Sequence, residues 1–195
     1  VSSYVFVRHA RSVANAQGWF SGHVDVPLDP QGELEAAALA AQLADTRLER
    51  GFSSDLRRAV QTAEPVLGPR AVPLVCSSAL RERSMGAWAG AAVASPPDGL
   101  HDVLHSVHLR PPGGESLLDV AVRALGFLAA VGDGPPALVV AHGGLLRVVL
   151  GMVDGMSWEA LPSLQVVNAT PMPRVVPAAR WRELHALAVR EAAAR

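Results

Sequence analysis

Two short uncharged runs constrain this chain most: YVFV at 4–7 and ALVVA at 137–141. Both are too short for a buried helix, apolar throughout and rich in β-branched residues, so both read as strands covered on two faces. Each ends on a histidine, Arg8-His9 after the first run and His142-Gly143 after the second. Between and around them the pattern alternates. A helix starts near Ser12, whose hydroxyl suits an N-cap, and a Gly- and Pro-punctuated loop follows over 18–30. Asp29-Pro30 announces a helix running towards Gly51, with Leu34, Ala38, Ala41 and Leu48 on one face. FSS at 52–54 and VPLVC at 72–76 read as strands flanking a helix over 55–67. Regularity fades over 81–114, apart from a short helix around 101–107. Helices are expected at 115–131, where Leu118, Val122, Leu125 and Ala129 share a face, at 144–153 and at 180–195, with QVVN at 165–168 as a late strand. Strands alternating with helices imply an α/β fold, a three-layer α/β/α sandwich around a mostly parallel sheet.

With 195 residues, half of them apolar, the chain is expected to form a single domain over 1–195, with 81–114 as a lid or insertion. It holds no apolar window of about 18 residues, so no membrane span is expected. It enters a strand at once, without a leader pattern, although a leader already removed would leave no trace. The net charge of −1 argues against a broad nucleic-acid surface but not against a local basic pocket. Cys76 is the one cysteine, which removes a disulfide framework and makes a reducing, cytoplasmic location the default. The chain has no lysine; with its many Ala, Gly, Pro and Val residues this fits a GC-rich codon bias, which weakens any argument from Arg having been chosen over Lys.

In open α/β sheets, ligands bind beyond the carboxyl ends of the strands. His9 and His142 therefore fall in the expected crevice, each before a helix N-terminus, where free N–H groups and the macrodipole favour anions. Arg57 and Arg58 sit on the first turn of the 55–67 helix, where a cation opposes the helix dipole unless an anion is bound. Two histidines, Arg8 and two helix ends around one crevice describe a site for a small, highly charged anion, with phosphate the first candidate.

Five stretches, VRHARS, SSDLRRAVQTA, LRERSMGAWAG, PPGGES and AHGGLLR, occur in this order. Together they resemble the histidine phosphatase superfamily, the phosphoglycerate-mutase-like proteins, over about 5–168. The resemblance implies His9 as the nucleophile that becomes phosphohistidine and Arg8, Arg58 and His142 as the rest of the phosphate pocket. Asn15 matches a polar residue that holds the transferred group, and Gly143 a glycine whose backbone approaches closely. Glu82 matches the general acid/base carboxylate, with an acid-to-neutral optimum following from that role. Ser12, Ser21 and Gly22 match positions that contact phosphate or substrate. No metal or cofactor is implied, because arginine forks can take a metal's place at phosphate oxygens. His9 must attack through a neutral nitrogen, which calls for its other nitrogen to donate to a backbone carbonyl.

The sequence also departs from the family pattern. Arg11 stands where a carboxylate or amide is usual; it points to solvent, the favoured reading, or adds charge at the pocket rim. Three prolines in NATPMPRVVP fall where relatives continue an edge strand. His101, His105 and His108 share a face if the 101–107 helix extends through them, a pattern that could ligate metal; a partly exposed lid helix is the plainer reading. Trp19 and Trp88 stack on substrate or simply pack, and GGES is best read as a helix start with Glu115 or Ser116 near the cap. Mutases of the family carry paired arginines in a longer segment after the catalytic Glu, whereas here only Arg110 precedes Pro111-Pro112. The expectation is a phosphomonoesterase acting on a small-molecule phosphate ester, as a monomer or homodimer. The alternatives are a cofactor-dependent phosphoglycerate mutase and a non-catalytic phospho-ligand binding module.

Overall fold

The computed structural model describes residues 1–194; Arg195, the end of the expected last helix, lies outside them. Five strands form one sheet in the order β3-β2-β4-β1-β5. They are β1 (Ser2–Arg8), β2 (Arg50–Ser54), β3 (Leu74–Ser77), β4 (Ala137–Ala141) and β5 (Pro171–Val176). All neighbours are parallel except β5, which runs antiparallel to β1. The helices are α1 (Val13–Gln17), α2 (Pro30–Gln42), α3 (Arg57–Leu67), α4 (Leu100–Leu104), α5 (Leu117–Val131), α6 (Gly143–Val153) and α7 (Ala178–Ala193).

Alternation along the two central strands builds the layers. Tyr4 and Phe6 of β1, with Ala137, Val139 and Ala141 of β4, pack under α5, α6 and α7. Val7 of β1, with Leu138 and Val140 of β4, packs on the opposite face against α2 and α3. Because both strands are covered on both sides, Tyr4–Val7 of β1 and all of β4 read as unbroken apolar runs. Trp181 of α7 closes the larger core, edge-on to Tyr4 at 5.7 Å and to Phe6 at 6.1 Å between ring centroids.

Two expectations are corrected. α2 stops at Gln42 and turns Gly32, Ala36 and Leu39 inward, while Leu34 is 65% exposed. The five alanines in the second half of α2, at 36–38, 40 and 41, give little contrast between faces, and Leu48 lies beyond the helix end, so it carries no helical phase. The late strand is not QVVN. That segment makes one bridge, Asn168 to Arg8, and the paired strand is the proline-bearing β5. Pro171 and Pro173 lie opposite Val7 and Val5. Two residues apart, they present their missing N–H groups on the same side, and an edge strand has one side on which a missing donor is harmless.

The 81–114 segment is anchored through Leu100, Val103 and Val107, all buried. α4 ends at Leu104, too early to align three histidines: His101 and His105 stack at 4.2 Å, while His108 faces Glu191 of α7 at 3.6 Å. Among the described residues, no three His, Cys, Asp or Glu side chains are placed to hold a metal ion.

Candidate active site

The register of the sheet brings the two histidines together. Arg8 pairs with Ala141, and the His9 N–H donates to the Ala141 carbonyl at 2.9 Å, so His9 and His142 leave adjacent strands side by side. Their ring centroids are 5.0 Å apart, and they are 4% and 0% exposed. His9 Nδ1 lies 2.7 Å from the Ala10 carbonyl, which makes it the donor and leaves Nε2 as the basic nitrogen. The surrounding backbone is pinned as well. Asn168 Nδ2 donates to the His9 carbonyl at 2.6 Å, and the Ala10 N–H donates to Thr62 Oγ1 at 2.9 Å.

Burial drives both histidines well below their ordinary pKa, and the charges of Arg58 and Arg8 act in the same direction, so both rings are neutral at pH 7. Arg58, on the first turn of α3, is 1% exposed; burial lowers it to about 10, still charged. Its Nη1 and Nη2 donate to the carbonyls of Val24 and Gly22 at 2.9 and 2.8 Å. The 18–26 loop thus holds Arg58 in place, and Gly22, at φ +47°, takes a turn that L side chains adopt at a strain. Arg8 Nη1 donates to Val166 O at 2.8 Å.

A cleft of ≈ 280 Å³ opens over this pair. His9, Arg8, Asn15, Ser21, Gly22, Arg58, Glu82 and Gly143 all line it. His142 lies behind the cleft wall, in ring contact with His9. Ser12 does not line it: its hydroxyl caps α1 in a reciprocal box with Asn15, so that helix end is satisfied internally. The α6 N-terminus, at Gly143 and Gly144, lines the cleft; its N-cap residue His142 gives it no side-chain bond, and Glu82 Oε2 accepts its Gly144 N–H. Arg57 is exposed; Arg11 is outside the cleft and its side chain is 43% exposed, in line with the solvent reading, while its guanidinium clamps Asp29, the N-cap of α2, at 2.6 and 3.2 Å. Trp19 lines the cleft and Trp88 does not.

Several contributors escape the sequence reading. Gly144, rather than Gly143, is the glycine with no room: a Cβ there would lie 2.4 Å from Glu82 Oε1, and its N–H donates to Oε2 at 3.0 Å. Glu82 Oε1 accepts from the Arg83 N–H at 2.8 Å. Arg83 and Arg147 also line the cleft, giving four arginines against a single carboxylate, Glu82. Arg147 belongs to the AHGGLLR stretch, so the motif contained it without marking it. Apolar side chains of Phe20, Met85, Val93, Leu104 and Leu117 complete the walls.

Four buried nitrogens, Arg8 Nε, Arg58 Nε and both ring nitrogens of His142, make no hydrogen bond to the described residues. Leaving such a group unsatisfied costs about 1–3 kcal/mol. Their clustering, with the excess positive charge of the cleft, suits an oxyanion bound beside a neutral histidine nitrogen.

Comparison with known proteins places this site in a family. A profile of the histidine phosphatase superfamily (branch 1) matches residues 4–184, and the chain belongs to that superfamily. Among curated relatives, a 2,3-bisphosphoglycerate-dependent phosphoglycerate mutase of Beijerinckia indica subsp. indica is 33% identical over 183 residues, spanning 86% of this chain and 88% of the relative. Among solved structures, a mycobacterial glucosyl-3-phosphoglycerate phosphatase complexed with VO3 superposes with a TM-score of 0.82 at 27% identity, covering 89% of this chain and 92% of that one. The alpha-ribazole phosphatase of Shigella flexneri shares the fold, with a TM-score of 0.78 at 24% identity over 89% of this chain and 90% of that one.

Proposed function

We propose that this chain is a phosphomonoesterase that hydrolyses small-molecule phosphate esters through a phosphohistidine on His9. The observation that carries the reading is the set of unsatisfied nitrogens of Arg8, Arg58 and His142 around the free Nε2 of His9. The phosphoryl oxygens accept from these donors. The Nε2 lone pair attacks phosphorus in line as the ester P–O bond breaks, and Glu82, in its acid form, delivers a proton to the leaving oxygen. Glu82, now a carboxylate, then takes a proton from water as that water attacks phosphorus. The P–N bond breaks, and inorganic phosphate and the neutral imidazole are released. Two backbone N–H groups, from Arg83 and Gly144, fix the carboxyl during both steps.

Arg83 and Arg147 line the cleft together with Arg8 and Arg58, and the arginine excess favours an alcohol portion that carries a further negative charge. This bears on the mutase alternative, which the names of the curated relatives keep in play. Arg110, which would have to grip a second anion, is exposed and paired with Asp119 at 2.8 Å. An open cleft with no arginine pair at that position suits water as the acceptor of the phosphoryl group.

The test is a hydrolysis screen of wild type and His9→Ala across phosphorylated metabolites, with 3-phosphoglycerate assayed in the presence and absence of 2,3-bisphosphoglycerate. Phosphate release by wild type, none by His9→Ala, and an acid-labile phosphoenzyme in wild type alone are expected. Isomerisation of 3-phosphoglycerate outpacing phosphate release would establish the mutase. Tight binding of an ester with no turnover by either protein would establish a binding module.

A further inference from the structure

Glu82 sits on a stretch with no regular secondary structure, between Leu80 and the turn at Gly86. A coil cannot satisfy its own backbone groups, so something else must hold this segment still if the carboxyl is to stay in register with the leaving oxygen. The contacts that hold it come from a motif to which the phosphoryl chemistry gives no task. Arg123, on the second turn of α5, donates to the carbonyls of Ala79 at 2.9 Å, Arg81 at 2.8 Å and Glu82 at 2.9 Å. Glu115 of the GGES stretch grips Arg123 bidentately, both bonds at 2.9 Å, and accepts the Ser84 N–H at 2.9 Å. The cap of α5 is Ser116 with Asp119, so Glu115 is not engaged in capping.

A third side chain ties in the phosphate-binding loop. His23 Nε2 lies 2.7 Å from the Glu82 carbonyl and 3.5 Å from Glu115 Oε2. Its neighbours Gly22 and Val24 are the residues whose carbonyls hold Arg58. Burial alone would raise the Glu115 carboxyl; the hydrogen bonds from His23, Arg123 and Ser84 reverse this and hold it far below the usual carboxylate range.

We infer that Glu115, Arg123 and His23 are positioning residues for the general acid, joining the Glu82 backbone to the rigid start of α5 on one side and to the Arg58-binding loop on the other. They touch neither the phosphoryl group nor the leaving oxygen. The inference rests on the phosphomonoesterase reading and adds residues to it that lie outside the cleft.

A proton donor matters in proportion to the basicity of the leaving group. A nitrophenolate leaves without help, whereas an alkoxide does not. The experiment compares kcat/KM for p-nitrophenyl phosphate and for an alkyl phosphate such as glycerol phosphate in wild type, Glu115→Gln, His23→Phe and Glu82→Gln, with circular dichroism confirming the folded state. Glu82→Gln should lose about 100-fold or more on the alkyl ester and far less on the aryl ester. Glu115→Gln should reproduce this selectivity at about 10-fold or more on the alkyl ester, with the aryl ester within about 3-fold. The milder His23→Phe serves if Glu115→Gln does not fold, and should show the same bias. Equal losses on both esters, or no loss on either, would overturn the inference while leaving His9 as nucleophile intact. Wild type inactive on both esters would instead remove the phosphomonoesterase reading, and this inference with it.

Discussion

The two buried histidines of the cleft should make the stability of this protein depend on pH below about 6.5. Both are buried and held well below 6.5 by desolvation, with Arg58 adding to the effect. In the unfolded chain each titrates near 6.5. Between the folded and unfolded values the unfolded state binds more protons, so stability falls as pH falls below about 6.5, and this loss ends once pH passes the folded values. At pH 5.5 each ring that stays neutral in the folded state lowers stability by up to about 1.4 kcal/mol, and the pair by up to about 2.8 kcal/mol. That is a large part of an ordinary stability of about 5–15 kcal/mol. The carboxylates with lowered values, Asp55 and Glu115 among them, have ordinary values of 3.8 and 4.5 and still ionise in the unfolded chain at pH 5.5. Their loss of stabilisation belongs to more acid solutions. Urea unfolding at pH 7.5, 6.5 and 5.5 reads the difference. His142→Gln should halve the fall between pH 7.5 and 5.5, and saturating phosphate, which favours protonated rings, should flatten it in wild type. A wild type equally stable at pH 7.5 and 5.5, or a His142→Gln variant with an undiminished slope, would falsify the placement of two neutral rings in the site.

Three further outcomes follow from the same geometry. Inorganic phosphate at 100 times its Kd should stabilise wild type by about 2.7 kcal/mol, roughly 5–11 °C in a melting scan; Arg58→Met should abolish that shift and also lower the ligand-free Tm, because the carbonyls of Gly22 and Val24 lose their donors. Arg147→Ala should raise KM about 10-fold or more for esters whose alcohol portion bears a carboxylate and leave p-nitrophenyl phosphate nearly unaffected, as steady-state kinetics would show. Arg11→Ala should lower Tm by releasing Asp29 at the start of α2 while kcat/KM stays at the wild-type value, since the Arg11 side chain is turned to that N-cap and lies outside the cleft.

What the sequence disclosed and what it withheld differ in range. Local signals were strong where one residue type has one use. The uncharged strands, the Asp29-Pro30 helix start and the Ser12 cap are visible because each satisfies its own neighbours. The histidines could be paired because β1 and β4 end alike, and adjacency in the sheet did the rest. The phase of α2 was lost because alanine carries almost no information about facing. β5 was obscured because proline reads as a breaker until the strand is known to be an edge with its ring nitrogens turned away from β1.

The supports of Glu82 were hidden for a different reason. Arg123 lies 41 residues from Glu82 in the chain, and His23 lies 59 residues from it. No periodicity connects them, and each residue alone looks like a surface charge. Their joint role appears only once the backbone of 79–84 is seen to lack partners of its own. The carboxylate proposed as the general acid lies within a motif, whereas the groups that hold its segment satisfy backbone atoms, which every residue possesses and no sequence distinguishes. Selection can therefore act on such a scaffold through the position of Glu82 alone. Replacing Glu115 or Arg123 should shift the selectivity between leaving groups before it disturbs the Arg58 guanidinium, because that guanidinium is held by the carbonyls of Gly22 and Val24, which neither residue contacts.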